Sequence, residues 1–246
     1  MNYLKVLFLC LCIIILSAAS DSKGEYPVQE FLGWKSQYDS VYKLHLFIKQ
    51  PMGKKIAAIS ATGFSIYSGS DEDVLYTLIL TNDHFCDEID ESSFLAVEDV
   101  NHELINIFYG LSVFEIVKTD PLYDLCVIKI PGYSNPVEIL SDDRNVEIGD
   151  NVYVIGAPGG DFPIILEGMI SGEIYPSGDR FTLFSLKNSL KLVSLKIMKG
   201  HSGSPVLTPD GKAAGIIFAA YPYYGGLLIS HWDIREFLFS NGIQFK

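Results

Sequence analysis

Gly200-His201-Ser202-Gly203-Ser204-Pro205 places a serine between two glycines, immediately before the apolar residues Val206 and Leu207. Glycine allows backbone conformations in which consecutive N–H groups surround a neighbouring atom. N–H groups arranged in this way stabilise the oxyanion that forms when a hydroxyl attacks a carbonyl carbon. The segment therefore indicates that Ser202 is a nucleophile. Glycine, serine and proline are also ordinary residues of surface turns, so the segment by itself leaves a plain turn open.

Two upstream residues are suited to activate this serine. A serine hydroxyl is a poor nucleophile unless an imidazole takes its proton and a carboxylate holds that imidazole in the right tautomer. His84 lies in a polar corner at the end of an apolar, strand-like stretch, and Asp124 directly precedes an apolar run that predicts a buried strand. Asp120 is the nearest competitor for the carboxylate, but it precedes a proline, as in an ordinary turn opening, so we prefer Asp124.

Three segments together resemble one family of enzymes. Thr-Asn-Asp-His at residues 81–84, Asp-Leu-Cys-Val-Ile-Lys-Ile at 124–130 and Gly-His-Ser-Gly-Ser-Pro at 200–205 are similar to motifs of trypsin-like serine peptidases. The resemblance is to the HtrA/Deg and staphylococcal V8 glutamyl-endopeptidase types, and it extends from about residue 31 to residue 234. It implies that His84 is the general base, Asp124 its orienting carboxylate and Ser202 the nucleophile. The N–H groups of Gly200 and Ser202 would form the oxyanion hole.

The same resemblance implies an all-β fold of two Greek-key, six-stranded β-barrels with the site in the cleft between them. Short apolar runs separated by turn residues agree with this fold class, and a serine cap predicts a C-terminal helix over residues 230–239. We expect an N-terminal barrel over residues 21–135 that carries His84 and Asp124. The C-terminal barrel, residues 136–246, would carry Ser202 and the helix. The predicted strands are 42–48, 56–67, 75–80, 152–155 and 212–219.

The first twenty residues predict a secretory signal peptide. Lys5 precedes an apolar core from Val6 to Leu16, and the small residues of Ser17-Ala18-Ala19-Ser20 follow. This pattern predicts export, and the alternative is a retained N-terminal anchor formed by residues 1–20. Contact with a membrane is expected only if that segment is retained.

Two cysteines remain after this segment, each two positions beyond a proposed catalytic residue: Cys86 follows His84, and Cys126 follows Asp124. Since the catalytic residues must converge, the two cysteines could form a disulfide in an oxidising compartment, and two independently buried thiols are an equal alternative. No C-x-x-C pattern accompanies them, so no metal site is predicted.

Some residues depart from the family pattern. Digestive relatives have an aspartate before the catalytic serine to pair with a newly cut N-terminus, and His201 stands in that place. Activation through a new N-terminus is therefore not expected, and we assign His201 a structural or substrate-facing role. We expect the protease domain alone, without an appended PDZ module.

Residues near Ser202 are candidates for the pocket that binds the substrate side chain preceding the cleaved bond. Lys196 lies six residues before Ser202, where relatives have the pocket floor, and residues 180–202 contain lysines but no acidic residue. We hypothesise that Lys196 or Lys199 favours an acidic or polar side chain at that position. Phe218, Ala219 and Ala220 would form the opposite wall and suit a modest apolar pocket equally well.

Composition limits the other functions. The 246 residues carry a net charge of −12 and no basic stripe with interleaved aromatic residues, so nucleic-acid binding is not expected. The sequence predicts a serine endopeptidase that acts on proteins or peptides and needs no cofactor. The alternative from another class is a catalytically silent, protease-like module that binds a peptide or protein. An esterase is disfavoured, because the G-x-S-x-G elbow and the order Ser, Asp, His are absent.

Overall fold

The computed structural model describes residues 33–49, 56–90, 93–105, 114–174 and 190–246. Within these ranges the chain is mostly β-structure, with two α-helices and two short 3-10 helices. The predicted signal segment lies outside the described residues. The strands are β1 Val41–Lys49, β2 Ile56–Asp71, β3 Val74–Thr81, β4 Phe94–Glu98, β5 Glu115–Asp120, β6 Leu125–Pro131, β7 Asn151–Gly156, β8 Ile164–Ile174, β9 Leu190–Val193, β10 Pro205–Leu207, β11 Ala213–Tyr221 and β12 Gly225–Ser230, and the helices are α1 Asp83–Cys86 and α2 His231–Ser240.

The first half of the chain forms a six-stranded antiparallel sheet in the order β4-β1-β2-β3-β6-β5. Its strands are rich in β-branched and aliphatic residues, which fit a pleated and half-buried surface. Alternate side chains of β1, β2, β3 and β6 point to one side and enclose a separate core that contains Leu44, Leu46, Ile79 and Ile128. The buried face of this sheet fixes the register in which the end of β3 lies beside the start of β6.

The second half closes into a six-stranded barrel in the order β10-β11-β12-β9-β8-β7. The barrel interior is filled by aliphatic side chains such as Val154, Ile170, Val206 and Leu228. Closure of the barrel pairs β10 with both β7 and β11, which fixes the segment immediately before β10. That segment contains Ser202.

A third cluster of apolar side chains joins the two halves. It contains residues of the first sheet, such as Phe64 and Leu80, and residues of the barrel, such as Ile155 and Ile216. Helix α2 also packs on it through residues that include Phe237. Apolar burial of this kind is the dominant favourable contribution to folding, so the cluster holds the sheet and the barrel in one relative position.

The observed architecture confirms the predicted trypsin-like, all-β class with two six-stranded units and a C-terminal helix. The predicted strands correspond to β1, β2, β3, β7 and β11, each lengthened by one or more residues at an end. Ser230 is the N-cap of α2, and its side chain accepts a hydrogen bond from the Asp233 N–H. The division of the chain between residues 135 and 136 stays a prediction. No helix in the described ranges has the length and apolar character needed to cross a bilayer.

Candidate active site

His84 and Asp124 are brought together by the ends of two neighbouring strands. Strand β3 ends at Thr81 and pairs in antiparallel register with β6, so that Thr81 lies opposite Cys126. The chain leaves β3 into α1, which carries His84, and Asp124 immediately precedes β6. The sheet register therefore places both side chains at one edge of the first sheet.

The two side chains are in direct contact. His84 Nδ1 lies 2.9 Å from Asp124 Oδ2 and 3.1 Å from Oδ1, and the His84 backbone N–H donates to Oδ1 at 2.9 Å. Asn82 supports the arrangement, since its side-chain amide donates to the Asp124 carbonyl oxygen at 3.0 Å. Asp124 itself has a φ of +51°, an uncommon backbone conformation for a residue with a side chain. The carboxylate is buried and contacts both the ring and the backbone N–H of His84, while the Asp124 backbone is held by Asn82.

The environment of His84 shifts the pKa of its ring in two opposite directions. Burial lowers the pKa of His84, but the hydrogen bond and negative charge of Asp124, together with the charges of Asp83 and Glu88, outweigh burial, so the pKa lies above its usual value. With Nδ1 bonded to the carboxylate, Nε2 is the ring nitrogen left to accept a proton. The side chain is 43% exposed, whereas that of Asp124 is 7% exposed. His84 therefore has the position and chemistry of a general base.

A disulfide links the elements that carry these residues. Cys86 at the end of α1 is bonded to Cys126 near the start of β6. Both cysteines are buried, in the core cluster of the first sheet. Of the two alternatives that the sequence left open, the structure has the disulfide. It ties the short helix with His84 to the strand that begins beside Asp124.

The segment around Ser202 requires glycine at two positions. Gly200 has a φ of +98°, and a Cβ there would lie 1.9 Å from the Ala157 carbonyl oxygen. Gly203 has a φ of +84°, and a Cβ there would lie 1.8 Å from the Thr62 carbonyl oxygen. Both positions combine left-handed backbone with a close approach to other backbone, so no other residue fits without displacement.

The peptide groups from Lys199 to Ser202 are almost completely hydrogen-bonded. The Lys199 carbonyl accepts from Gly159 N–H at 2.8 Å, and the Gly200 carbonyl accepts from the Thr62 hydroxyl at 2.8 Å. His201 N–H donates to Met198 at 3.1 Å, and the His201 carbonyl accepts from Ser204 N–H at 2.9 Å.

Two groups in this segment are left over. Among the described residues, the N–H groups of Gly200 and Ser202 have no hydrogen-bond acceptor. The carbonyls of Lys199, Gly200, His201 and Ser202 and the N–H of His201 are paired, so the N–H groups of Gly200 and Ser202 remain for an added oxyanion. They are the pair that the resemblance implies.

One cleft contains groups from both halves of the molecule. A cavity of about 650 Å³ is lined by His84 from the first sheet and by Lys199, Gly200 and Ser202 from the second half. Ser202 Oγ lies 3.5 Å from the Phe218 carbonyl oxygen and is not hydrogen-bonded to His84. The predicted base, nucleophile and oxyanion donors thus converge on the same cavity.

The residues predicted for the substrate pocket are separated. Lys199 lines the cleft with Ser202, whereas Lys196 is exposed and lines a different depression of about 400 Å³, together with Ala220 and residues 221–225. Phe218 is buried, Ala219 is half-buried and Ala220 is exposed. Lys196 is therefore not brought into the cavity that contains Ser202.

Strand β11 offers backbone groups beside the cleft. Residues 219–221 pair with β12 on one side. On the other side, the Ile217 carbonyl accepts from the Gly203 N–H, and the Ile217 N–H donates to the Ser204 carbonyl. In the described part of the chain, Ala219 and Ala220 have no partner strand on this side, so this part of the β11 edge can pair with an extended peptide.

The other histidines lie apart from the proposed chemistry. His201 is 1% exposed, its Nδ1 contacts the backbone of Met198, and burial lowers its pKa. This supports a structural role over a substrate-facing one. His231 bonds to a backbone carbonyl, and His45 and His102 both bond to Glu98.

Sequence reasoning gave no role to two residues that contact the oxyanion segment, Thr62 and Gly159. Each reaches it across a long sequence separation, and the visible signal was that residues 62–66 and 154–159 both resemble segments of the family. No cluster of potential metal ligands occurs among the described residues.

The fold and the site together define a trypsin-like class of protein, with histidine and carboxylate on one β-unit and serine on the other. Residues 61–216 match the model of the trypsin-like peptidase domain, and the chain belongs to this family. One relative is a probable periplasmic serine endoprotease, DegP-like, of Marinomonas sp., 28% identical over 202 residues, which are 80% of this chain and 39% of the relative. A relative of the same description from Chlamydia muridarum is 26% identical over 181 residues, 73% of this chain and 32% of its own.

Solved structures support the fold assignment. The active form of the Rv3671c protease from M. tuberculosis has a TM-score of 0.66 at 18% identity, covering 89% of this chain and 88% of its own. A serine endoprotease from Yersinia pestis has a TM-score of 0.62 at 20% identity, covering 88% and 68%. The chain spans less than half the length of the two curated relatives described above.

Proposed function

We propose that this protein is a serine endopeptidase that forms an acyl-enzyme on Ser202. The observation that carries the proposal is the convergence, in one cleft, of a carboxylate-bound imidazole, a serine and two unpaired N–H donors. A chance surface turn has no reason to combine all three, because each group depends on a different part of the fold.

In the proposed reaction, His84 Nε2 takes the proton of Ser202 Oγ as that oxygen attacks the peptide carbonyl. The resulting oxyanion accepts hydrogen bonds from the N–H groups of Gly200 and Ser202, which are already oriented before substrate arrives. The imidazolium then protonates the leaving amine, and water activated by His84 releases the acyl group. Asp124 holds the tautomer and stabilises the imidazolium.

The substrate would be an extended segment of a protein or peptide. It would pair with the edge of β11 at Ala219 and Ala220, which has no partner strand on that side in the described part of the chain. The two curated relatives are named as periplasmic, which together with the predicted signal peptide supports export. The preference of Lys196 or Lys199 for an acidic side chain remains a proposal, and Lys199 is the better placed of the two because it lines the cleft.

One observation favours the second candidate, a silent peptide-binding module. The Ser202 hydroxyl points to the Phe218 carbonyl and not to His84. A hydroxyl rotates readily, however, and catalytic hydrogen bonds are often long or misaligned before substrate binds. The intact His84–Asp124 pair favours catalysis.

The test is intact-mass analysis after treatment with a fluorophosphonate, which phosphonylates an activated serine with loss of fluoride. We expect a single adduct on the wild-type chain and none on the Ser202→Ala variant. A folded wild-type chain that stays unlabelled would reject the peptidase and favour the silent module.

A further inference from the structure

Thr62 connects the two halves of the site through one buried hydroxyl. Its side chain lies on β2 of the first sheet and is fully buried. The hydroxyl donates to the Gly200 carbonyl at 2.8 Å and accepts from the Ala157 N–H at 3.1 Å. Both partners belong to the second half of the chain. A hydroxyl can donate one hydrogen bond and accept two, so this side chain uses its donor and one acceptor position on these contacts.

The backbone of Thr62 contacts the same region. Its N–H donates to the Ser202 carbonyl at 2.8 Å, and its carbonyl accepts from the Thr81 hydroxyl at 2.8 Å. Thr81 ends β3, the strand that leads to His84. Thr62 therefore contacts the nucleophile segment on one side and the strand next to the base on the other.

The Gly200 carbonyl is the decisive partner. It belongs to the peptide group between the two unpaired donors, Gly200 N–H and Ser202 N–H. Glycine at this position imposes little conformational preference of its own, so outside contacts must fix the orientation of the peptide. Among the described residues, Thr62 is the hydrogen-bond donor to this carbonyl.

We propose that the Thr62 hydroxyl is a positioning group for the oxyanion hole, which holds the Gly200 peptide so that both donors point at the reacting carbonyl. This inference rests on the proposed function. The first sheet would then have two roles. It carries the base His84, and through Thr62 it orients the oxyanion donors of the second half.

The test compares two substitutions that separate shape from hydrogen bonding. Thr62→Val keeps the branched shape and removes the hydroxyl, whereas Thr62→Ser keeps the hydroxyl and loses a methyl group. We expect kcat for Thr62→Val to fall by a factor between about 10 and 10³. The upper value corresponds to the complete loss of one oxyanion donor. KM should change less than about 2-fold, because the β11 edge is untouched. Thr62→Ser should keep kcat within about 3-fold of wild type.

Thr77→Val is the matched control. Thr77 is a buried threonine of the same sheet whose hydroxyl donates to the Gly132 carbonyl at 2.9 Å, outside the cleft. This variant loses an equivalent hydrogen bond and should retain wild-type kcat. If loss of stability alone lowered activity, Thr77→Val would lose kcat to the same extent as Thr62→Val.

The inference is overturned if Thr62→Val keeps kcat within about 2-fold, or if Thr62→Ser is as impaired as Thr62→Val. If Thr62→Val does not fold, Thr62→Ala and Thr62→Ser provide the same contrast, since they differ only in the hydroxyl. A wild-type chain that does not react with the fluorophosphonate overturns the proposed function, and the inference with it. A reactive wild type with an unaffected Thr62→Val variant overturns only the inference.

Discussion

The His84 imidazole has neighbours that act on its charge in opposite directions. Burial disfavours the charged ring, whereas the carboxylates of Asp124, Asp83 and Glu88 favour it and together prevail. The Asp124 carboxylate also receives the His84 backbone N–H, so one side chain fixes both the ring and the backbone of its partner. Asp124 thus fixes the tautomer and orientation of the proposed base and raises its pKa.

Replacing Asp124 by asparagine should lower kcat by about 10⁴-fold while the fold is kept, because an amide cannot hold the imidazole in the productive tautomer. The measurement is steady-state cleavage of a peptide substrate, with circular dichroism to verify folding. Asp120→Asn is the control, since the Asp120 carboxylate only accepts from the Leu122 N–H. Full activity of Asp124→Asn would remove this carboxylate from the mechanism.

Activity should rise with pH through the raised pKa of His84, since only the neutral ring accepts a proton. The stability contribution has the opposite sign: it is present below the unfolded-state pKa of the ring and is lost as the pH rises through the folded-state pKa. In Asp124→Asn the pKa of His84 should move down, as followed by NMR titration of its ring. An unchanged titration in that variant would contradict the assignment of cause.

At the scale of elements, the helix α1 is too short to hold His84 by itself. It spans only Asp83–Cys86 and depends on its connections to β3 and β6. The disulfide from Cys86 to Cys126 supplies one of these connections, and the hydrogen bond from Asn82 to Asp124 supplies another.

Removing the disulfide by Cys86→Ala together with Cys126→Ala should lower the free energy of unfolding by about 4 kcal/mol. This value follows from the loop-closure entropy for a sequence separation of 40 residues. Urea unfolding with and without a thiol reductant measures it. The reductant should destabilise the wild type and leave the double variant unchanged, and an equal response of both would contradict a stabilising disulfide.

The elements were predictable because their patterns are local. The alternation in β1, β3 and β7 and the serine cap of α2 can be recognised from neighbouring residues. Three features could not be predicted from neighbouring residues. The redox state of the cysteines depends on distance in space, the exposure of Lys196 depends on how the loop before Gly200 turns, and the contact of Thr62 with Gly200 joins residues far apart in sequence.

At the scale of the whole molecule, the proposed catalytic residues are divided between two cores. His84 and Asp124 belong to the first sheet, and Ser202 and Gly200 belong to the segment before β10. The apolar cluster between the halves, with Phe64 and Ile216 among its members, keeps them at a fixed separation. The order of the motifs along the chain predicted this division, and the resemblance predicted the cleft.

The contact between Thr62 and Gly200 spans 138 residues of sequence. This contact joins the two halves of the chain, so it requires that they have met and that the entropy of closing a long loop has been lost. Local strands and hairpins can therefore be complete while the oxyanion donors are still unoriented. Under the proposed function, a folding intermediate would be harmless to its unfolded neighbours, and a newly made chain would acquire the ability to cut only when its two halves have docked.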